Sequence, residues 1–319
     1  MFFEENFPDA EDDDDLERTK KAYSDLDEIY VVTGSIPERR DFVETLWKLY
    51  EPYSENDFIK KAKRRGSFNE RTWELYIGST LLSHGYSLIP KKEEEGPDLC
   101  IKYKNINIWI EATAPGRGQT DAVPSRPVIT PGEIYSGGGN IEDDYRPRVL
   151  RMTHAIKDKK AQYLRNLNAE VIKENDPFVV AINGYEFSGL GNLPDYLIKW
   201  TFFAAGPLQY RLQSDGSLGE PTLAYRPKVD KNHPNGIVEI ECGLFNDESY
   251  KEISAVIFTF DHLINANKEK LGNNLIIARN PFAQNSLPND FWAIGREWSR
   301  DGNQIIYKNH DSDEINAPF

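Results

Sequence analysis

Four side chains in the first half of the sequence could do chemistry together: Glu74, Asp98, Glu111 and Lys160. Carboxylates are hard oxygen ligands, and two or three converging on one place make a site suited to Mg²⁺ or Mn²⁺. Such an ion polarises a phosphate and lowers the pKa of a bound water. A lysine beside it can orient that water or stabilise developing negative charge. The substrate class these residues point to is a phosphodiester. Each also has a plainer reading. Asp98 follows Pro97 and could be a turn residue, and Glu111 an exposed strand position. Glu74 could serve a structural ion pair, and Lys160 could snorkel to solvent.

The helices and strands around these groups are legible in the pattern. Ser67-Phe68-Asn69-Glu70 reads as a capping box opening a helix that runs to about His84 and stops at Gly85. Trp73, Ile77 and Leu81 form its apolar stripe, with Glu74 beside it. Tyr86–Ile89 is a short strand. Asp98–Tyr103 and Ile106–Thr113 read as a hairpin turning at Lys104-Asn105. Alternation puts Glu111 with Asn107, Trp109 and Thr113 on one face, and Asp98 with Cys100 and Lys102 on one face of the partner strand. The pairing can therefore bring Asp98 and Glu111 together. A long Gly/Pro-rich connection over 115–148 reads either as a substrate loop or as a mobile surface loop. The helix after it, about Pro147–Asn168, carries Val149, Met152, Ile156, Tyr163 and Leu167. Of Lys157, Lys159 and Lys160, only Lys160 is placed in that stripe.

Outside this region the signals are weaker. Ile29–Val32 reads as a strand, Ser35-Ile36-Pro37-Glu38 as a second capping box, and Lys60–Arg65 as a basic run that is either a solvated face or a phosphate contact. Phe178–Ile182, Gly236–Cys242, Ser254–Phe260 and Asn274–Ala278 are strand candidates, and Tyr196–Phe203 is a helix.

Composition bounds the function. The chain has 319 residues with 39% hydrophobic and 28% charged, enough for a large core. Its net charge of −14 is concentrated: nine acids and no base before Arg18 leave −5 for the rest. Residues 1–17 thus read as a solvated acidic tail, and the body can still carry basic patches. No apolar run is long enough to span a membrane, and the start lacks a secretory signal, so the expected location is cytoplasmic. Two distant cysteines and five unpaired histidines give no zinc-site spacing, and no Gly-X-Ser-X-Gly elbow is present.

In the order helix with Glu74, Gly96-Pro97-Asp98, Trp109-Ile110-Glu111-Ala112-Thr113, helix, strand, the chain resembles the PD-(D/E)XK nuclease superfamily over roughly Ser67–Ile182. The resemblance implies an α/β fold of restriction-endonuclease type, a mixed central sheet flanked by helices. It implies a helical extension over 18–66, a nuclease-like core over 67–184, and an elaboration or second lobe over 185–319. It also implies an Mg²⁺- or Mn²⁺-dependent nuclease acting on nucleic acid, with DNA the leading choice and a homo-oligomer left open. Asp98 and Glu111 would be the metal-binding acids, with the Ala112 carbonyl and Glu74 as further ligands. Where the family has its lysine, this chain has Thr113, so the lysine would have migrated to Lys160. Gln162 and Tyr163 would assist, and Arg148 or Arg151 would hold a phosphate. The departure at Thr113 keeps a second reading open, a non-cleaving binding module.

Overall fold

The computed structural model describes residues 1–91, 96–119, 121–125, 140–189, 193–262 and 270–310. Its centre is strand β3 (Ile106–Thr113), which pairs antiparallel with β2 (Leu99–Tyr103) and parallel with β4 (Phe178–Asn183). The expected hairpin forms in the expected register, with Leu99 opposite Ile110 and Tyr103 opposite Ile106. Lys104 turns it with φ of 51°. Short β1 (Ser87–Ile89) closes one edge. Beyond β4 come β9 (Ala255–Thr259), β10 (Ile276–Arg279), β11 (Arg296–Asp301) and β12 (Gln304–Asn309). Among the described residues the sheet therefore has eight strands, in the order β1-β2-β3-β4-β9-β10-β11-β12. The molecule is mixed α/β, as the sequence suggested, and the C-terminal portion supplies half of its central sheet.

Alternation along the strands divides the core in two. Val179 and Ala181 of β4 face one side with Ile108, Ile110, Ile257 and Ile277. Phe178, Val180 and Ile182 face the other with Val256, Phe258 and Ile276. The first face is covered by α2 (Glu28–Ser35), α3 (Pro37–Tyr50), α4 (Phe58–Ala62) and α5 (Phe68–Ser83), the second by α6 (Ile141–Asn168) and α7 (Pro194–Phe203). Helix α5 is pinned to the sheet by Trp73, whose Nε1 donates to the Ala181 carbonyl at 2.9 Å. It ends in a Schellman pair: Tyr86 N–H bonds to Leu81 O and Gly85 N–H to Leu82 O, both at 3.0 Å, with Gly85 at φ 81°. Two small ribbons complete the fold, β5 (Ala205–Gln209) with β6 (Thr222–Tyr225), and β7 (Lys228–His233) with β8 (Gly236–Glu241).

Several expectations are corrected. Residues 1–17 are not a free tail. Phe2, Phe3 and Phe7 are buried against Tyr30, Trp47, Phe58 and Phe68, and the acids open helix α1 (Asp13–Ala22), capped by Asp12. Ile29–Val32 is helix, because Asp27 caps the backbone N–H groups of Ile29 and Tyr30 and the aromatic cluster buries Tyr30 and Val31. Neither capping box forms. The Ser35 hydroxyl donates back to Val31 O at 2.9 Å, and Ser67 makes no side-chain cap. In the basic run Lys60, Arg64 and Arg65 are exposed, as the solvated-face reading expects, while Lys61 pairs with Glu55 at 2.9 Å and Lys63 with Glu4 at 3.1 Å. Part of the proposed substrate loop, residues 120 and 126–139, lies outside the described residues.

Candidate active site

The hairpin register puts Asp98, the residue before β2, across from Glu111 at the end of the sheet. The Asp98 carboxylate is fixed there because its Oδ2 accepts the Ala112 backbone N–H at 2.8 Å. A strand residue sends its N–H and C=O to the same side, so the Ala112 carbonyl faces the Asp98 side too. Lys91 Nζ stands 3.9 Å from Asp98 Oδ1.

Glu111 is buried, 4% exposed. Its Oε1 accepts from Lys159 Nζ at 2.9 Å and from Gln162 Nε2 at 2.9 Å. Lys159 Nζ also donates to Gln162 Oε1 at 3.2 Å, so one turn of α6 grips a single carboxylate oxygen. Among the described residues, Glu111 Oε2 is buried with no hydrogen-bond partner. Burial pushes the Glu111 carboxyl up to about 7, with the Asp98 charge adding to the rise and Lys159 opposing it. Burial also works against the charge on Lys159, but Glu111 and Asp98 outweigh it and hold its ammonium above the ordinary lysine range.

Glu74 lies on the other side of Asp98. It is 1% exposed, and its carboxyl is pushed up to about 8 by burial and then by Asp98. Both its oxygens are committed, Oε1 to the Tyr50 hydroxyl at 2.8 Å and Oε2 to Arg71 at 2.7 Å. Here Glu74 is a structural acid tying α5 to α3 rather than an open metal ligand.

The structure redistributes the other expected residues. Lys160 does not reach the carboxylates. It donates to the Ser249 carbonyl, pairs with Glu252 at 3.0 Å and lies 5.1 Å from the centre of the Tyr250 ring. Lys159 takes the place proposed for it. One residue is about 100° of helix, so both lysines border the apolar stripe on opposite sides, and only the crossing of α6 over β3 chooses between them. The available signal was Gln162, one turn after Lys159 and on the same side. Arg148 is corrected too. It is 2% exposed and bonds to the carbonyl and carboxylate of Asp144 one turn earlier. Arg151 donates from Nε to Gly116 O at 2.8 Å and lies along α6 away from the carboxylates. Thr113 sits half-buried at the end of β3 opposite Ile182. A surface depression of about 1030 Å³ beside α1 and α2 shares no residue with this site.

Among the described residues, no group of three or more His, Cys, Asp or Glu side chains is placed to hold a metal ion. Asp98 and Glu111 are two, and Mg²⁺ commonly takes only one or two carboxylates, filling its remaining positions with water and substrate oxygens. The partnerless Glu111 Oε2 is what a cation would satisfy, so the donor set fits a hard divalent ion. Compared with protein-family models, curated proteins and solved structures, the chain finds no match.

Proposed function

We propose that this protein is a divalent-metal-dependent nuclease hydrolysing phosphodiester bonds of nucleic acid, with a site of the PD-(D/E)XK kind. The observation that supports this is the joining of Asp98 and Glu111 across the hairpin, with Lys159 on one Glu111 oxygen and the other oxygen buried and unsatisfied. Asp98 and Glu111 would hold Mg²⁺ or Mn²⁺, with the Ala112 carbonyl beside them. When bound, the ion polarises the scissile phosphate and makes water a better nucleophile. The residues of the chain do the rest. Ala112 N–H orients Asp98, Gln162 orients Glu111, and charged Lys159 stabilises negative charge building on the phosphate oxygens.

The test is cleavage of single- and double-stranded DNA and RNA in Mg²⁺ or Mn²⁺. Asp98→Asn and Glu111→Gln should abolish it, Lys159→Ala should lower kcat by about 10²-fold or more, and Lys160→Ala should leave it near wild type. Equal losses in Lys159→Ala and Lys160→Ala would remove Lys159 from the mechanism.

The competing reading is a non-cleaving module that keeps the fold. It is favoured by the Lys159 and Arg71 ion pairs, which already neutralise Glu111 and Glu74. Calorimetric titration with Mn²⁺ separates the two: binding that Asp98→Asn destroys supports the enzyme, and no heat supports the module.

A further inference from the structure

Helix α6 carries a second set of basic side chains that the carboxylate site does not use; among them His154 Nε2 lies 3.3 Å from Asp158 Oδ2. Arg151, His154 and Lys157 line a groove of about 460 Å³ whose opposite wall is the β7–β8 ribbon, bearing Lys231 and Ile240; Tyr250 also borders it. Arg151 precedes Lys159 by eight residues on this helix, about 12 Å of axial rise. The loop leaving β3 joins the two places, since Gly118 lines the groove and Gly116 O holds Arg151 Nε.

The groove is built rather than incidental. Asp121, with a side chain only 3% exposed, ties its walls together. It accepts from Arg146 of α6 at 2.8 Å, and from the Asn232 backbone N–H and side-chain amide of β7 at 2.7 and 2.6 Å. Burial pushes the Asp121 carboxyl up, but Arg146 and Asn232 outweigh it and hold it below the ordinary range. The other groove acids are also engaged, Glu239 with Lys228 at 2.6 Å and Glu241 with the same lysine at 3.9 Å. Among the described residues, neither Lys157 nor Lys231 has an ion-pair partner, and Arg151 uses only its Nε. Asp121 is spent on structure and the two glutamates share the single Lys228, so Arg151, Lys157 and Lys231 outnumber the one acid left uncompensated.

We infer that this groove holds a single nucleic-acid strand, its phosphates on Arg151, Lys157 and Lys231, and feeds it to the Asp98/Glu111 site. The inference rests on the nuclease reading for the direction of travel only. The groove's volume is that of a small-ligand cleft, room for about a nucleotide or two. A cationic channel bordered by an aromatic ring is the usual means of gripping a strand without reading its sequence.

The test measures anisotropy of a fluorescein-labelled 12-nucleotide strand, as DNA and as RNA, and of the matching duplex, without divalent metal. Lys157→Glu/Lys231→Glu should weaken single-strand binding at least about tenfold and reduce the salt slope by about 1.4, two phosphate contacts' worth. Lys48→Glu, an equal change on distant α3, should do neither. Single strand should bind better than duplex, and the DNA and RNA arms identify the sugar preferred. Unchanged binding in the double variant, a loss matched by Lys48→Glu, or duplex binding as tight as single strand would overturn the groove. The two readings fail separately. Groove-dependent binding with no cleavage in any metal sinks the nuclease and keeps the groove. Cleavage with an unchanged KM in the double variant does the reverse.

Discussion

At the scale of single residues, the site is defined by how few oxygens are spoken for. Glu111 offers one oxygen to Lys159 and Gln162 and, among the described residues, leaves the other buried and bare. Its carboxyl, like that of Glu74, is raised from 4.5 in the folded chain by burial first and Asp98 second. An acid with a raised folded pKa stabilises the fold fully below its unfolded value, and that contribution is lost as pH rises through the folded value. Without divalent ions, the melting temperature should therefore fall between about pH 5 and pH 8.5. Glu111→Gln should flatten the fall. A wild-type profile that rises over this window, or one that Glu111→Gln leaves unchanged, would contradict the burial argument. Metal binding needs Glu111 ionised, so Mn²⁺ affinity should increase by about tenfold from pH 6 to pH 8.

At the scale of elements, the site depends on how closely α3 and α5 approach. Gly78 of α5 permits this, because a Cβ there would lie 2.5 Å from the Tyr50 ring. Tyr50 in turn holds Glu74. Alanine in a helix interior gains about 1 kcal/mol over glycine, whereas forcing extra volume into a packed contact costs about 1–3 kcal/mol. Here the ring is fully buried, and Tyr50 cannot swing away without unbonding Glu74. Gly78→Ala should thus lower the melting temperature despite its better propensity; a rise would mean that the two helices slide apart easily. The same elements explain what was readable in the sequence. The hairpin was, because period-two alternation and a two-residue turn are local. Strand β11 was not, because buried Glu297 pairs with Arg279 at 3.0 Å and breaks the apolar pattern, although Asp301-Gly302 marked the turn into β12.

At the scale of the whole molecule, the N-terminal segment belongs to the core. Phe2 packs edge-on against Trp47, Phe58 and Phe68, and its backbone N–H bonds to Glu44 at 3.0 Å. Phe2→Ala should cost about 3–5 kcal/mol, the usual range for a buried aromatic. The urea midpoint should fall correspondingly, whereas a solvated tail would leave it unmoved. The acidity that reads as a tail therefore decorates a packed segment, with Asp9 on Arg40 at 2.7 Å and Glu4 on Lys63.

Local pattern settled what covalent neighbours control. Alternation set which face Glu111 shares, the turn at Lys104 set that Asp98 would stand across from it, and Gly85 ended the helix that carries Glu74. Long-range packing alone chose which lysine joins them. Lys159 and Lys160 flank the same stripe, and their difference exists only once α6 lies across β3. It also decided that Glu74 is tied up, since Tyr50 arrives from 24 residues away. Local pattern fixes direction along an element, and the long-range packing of elements fixes what each side chain meets.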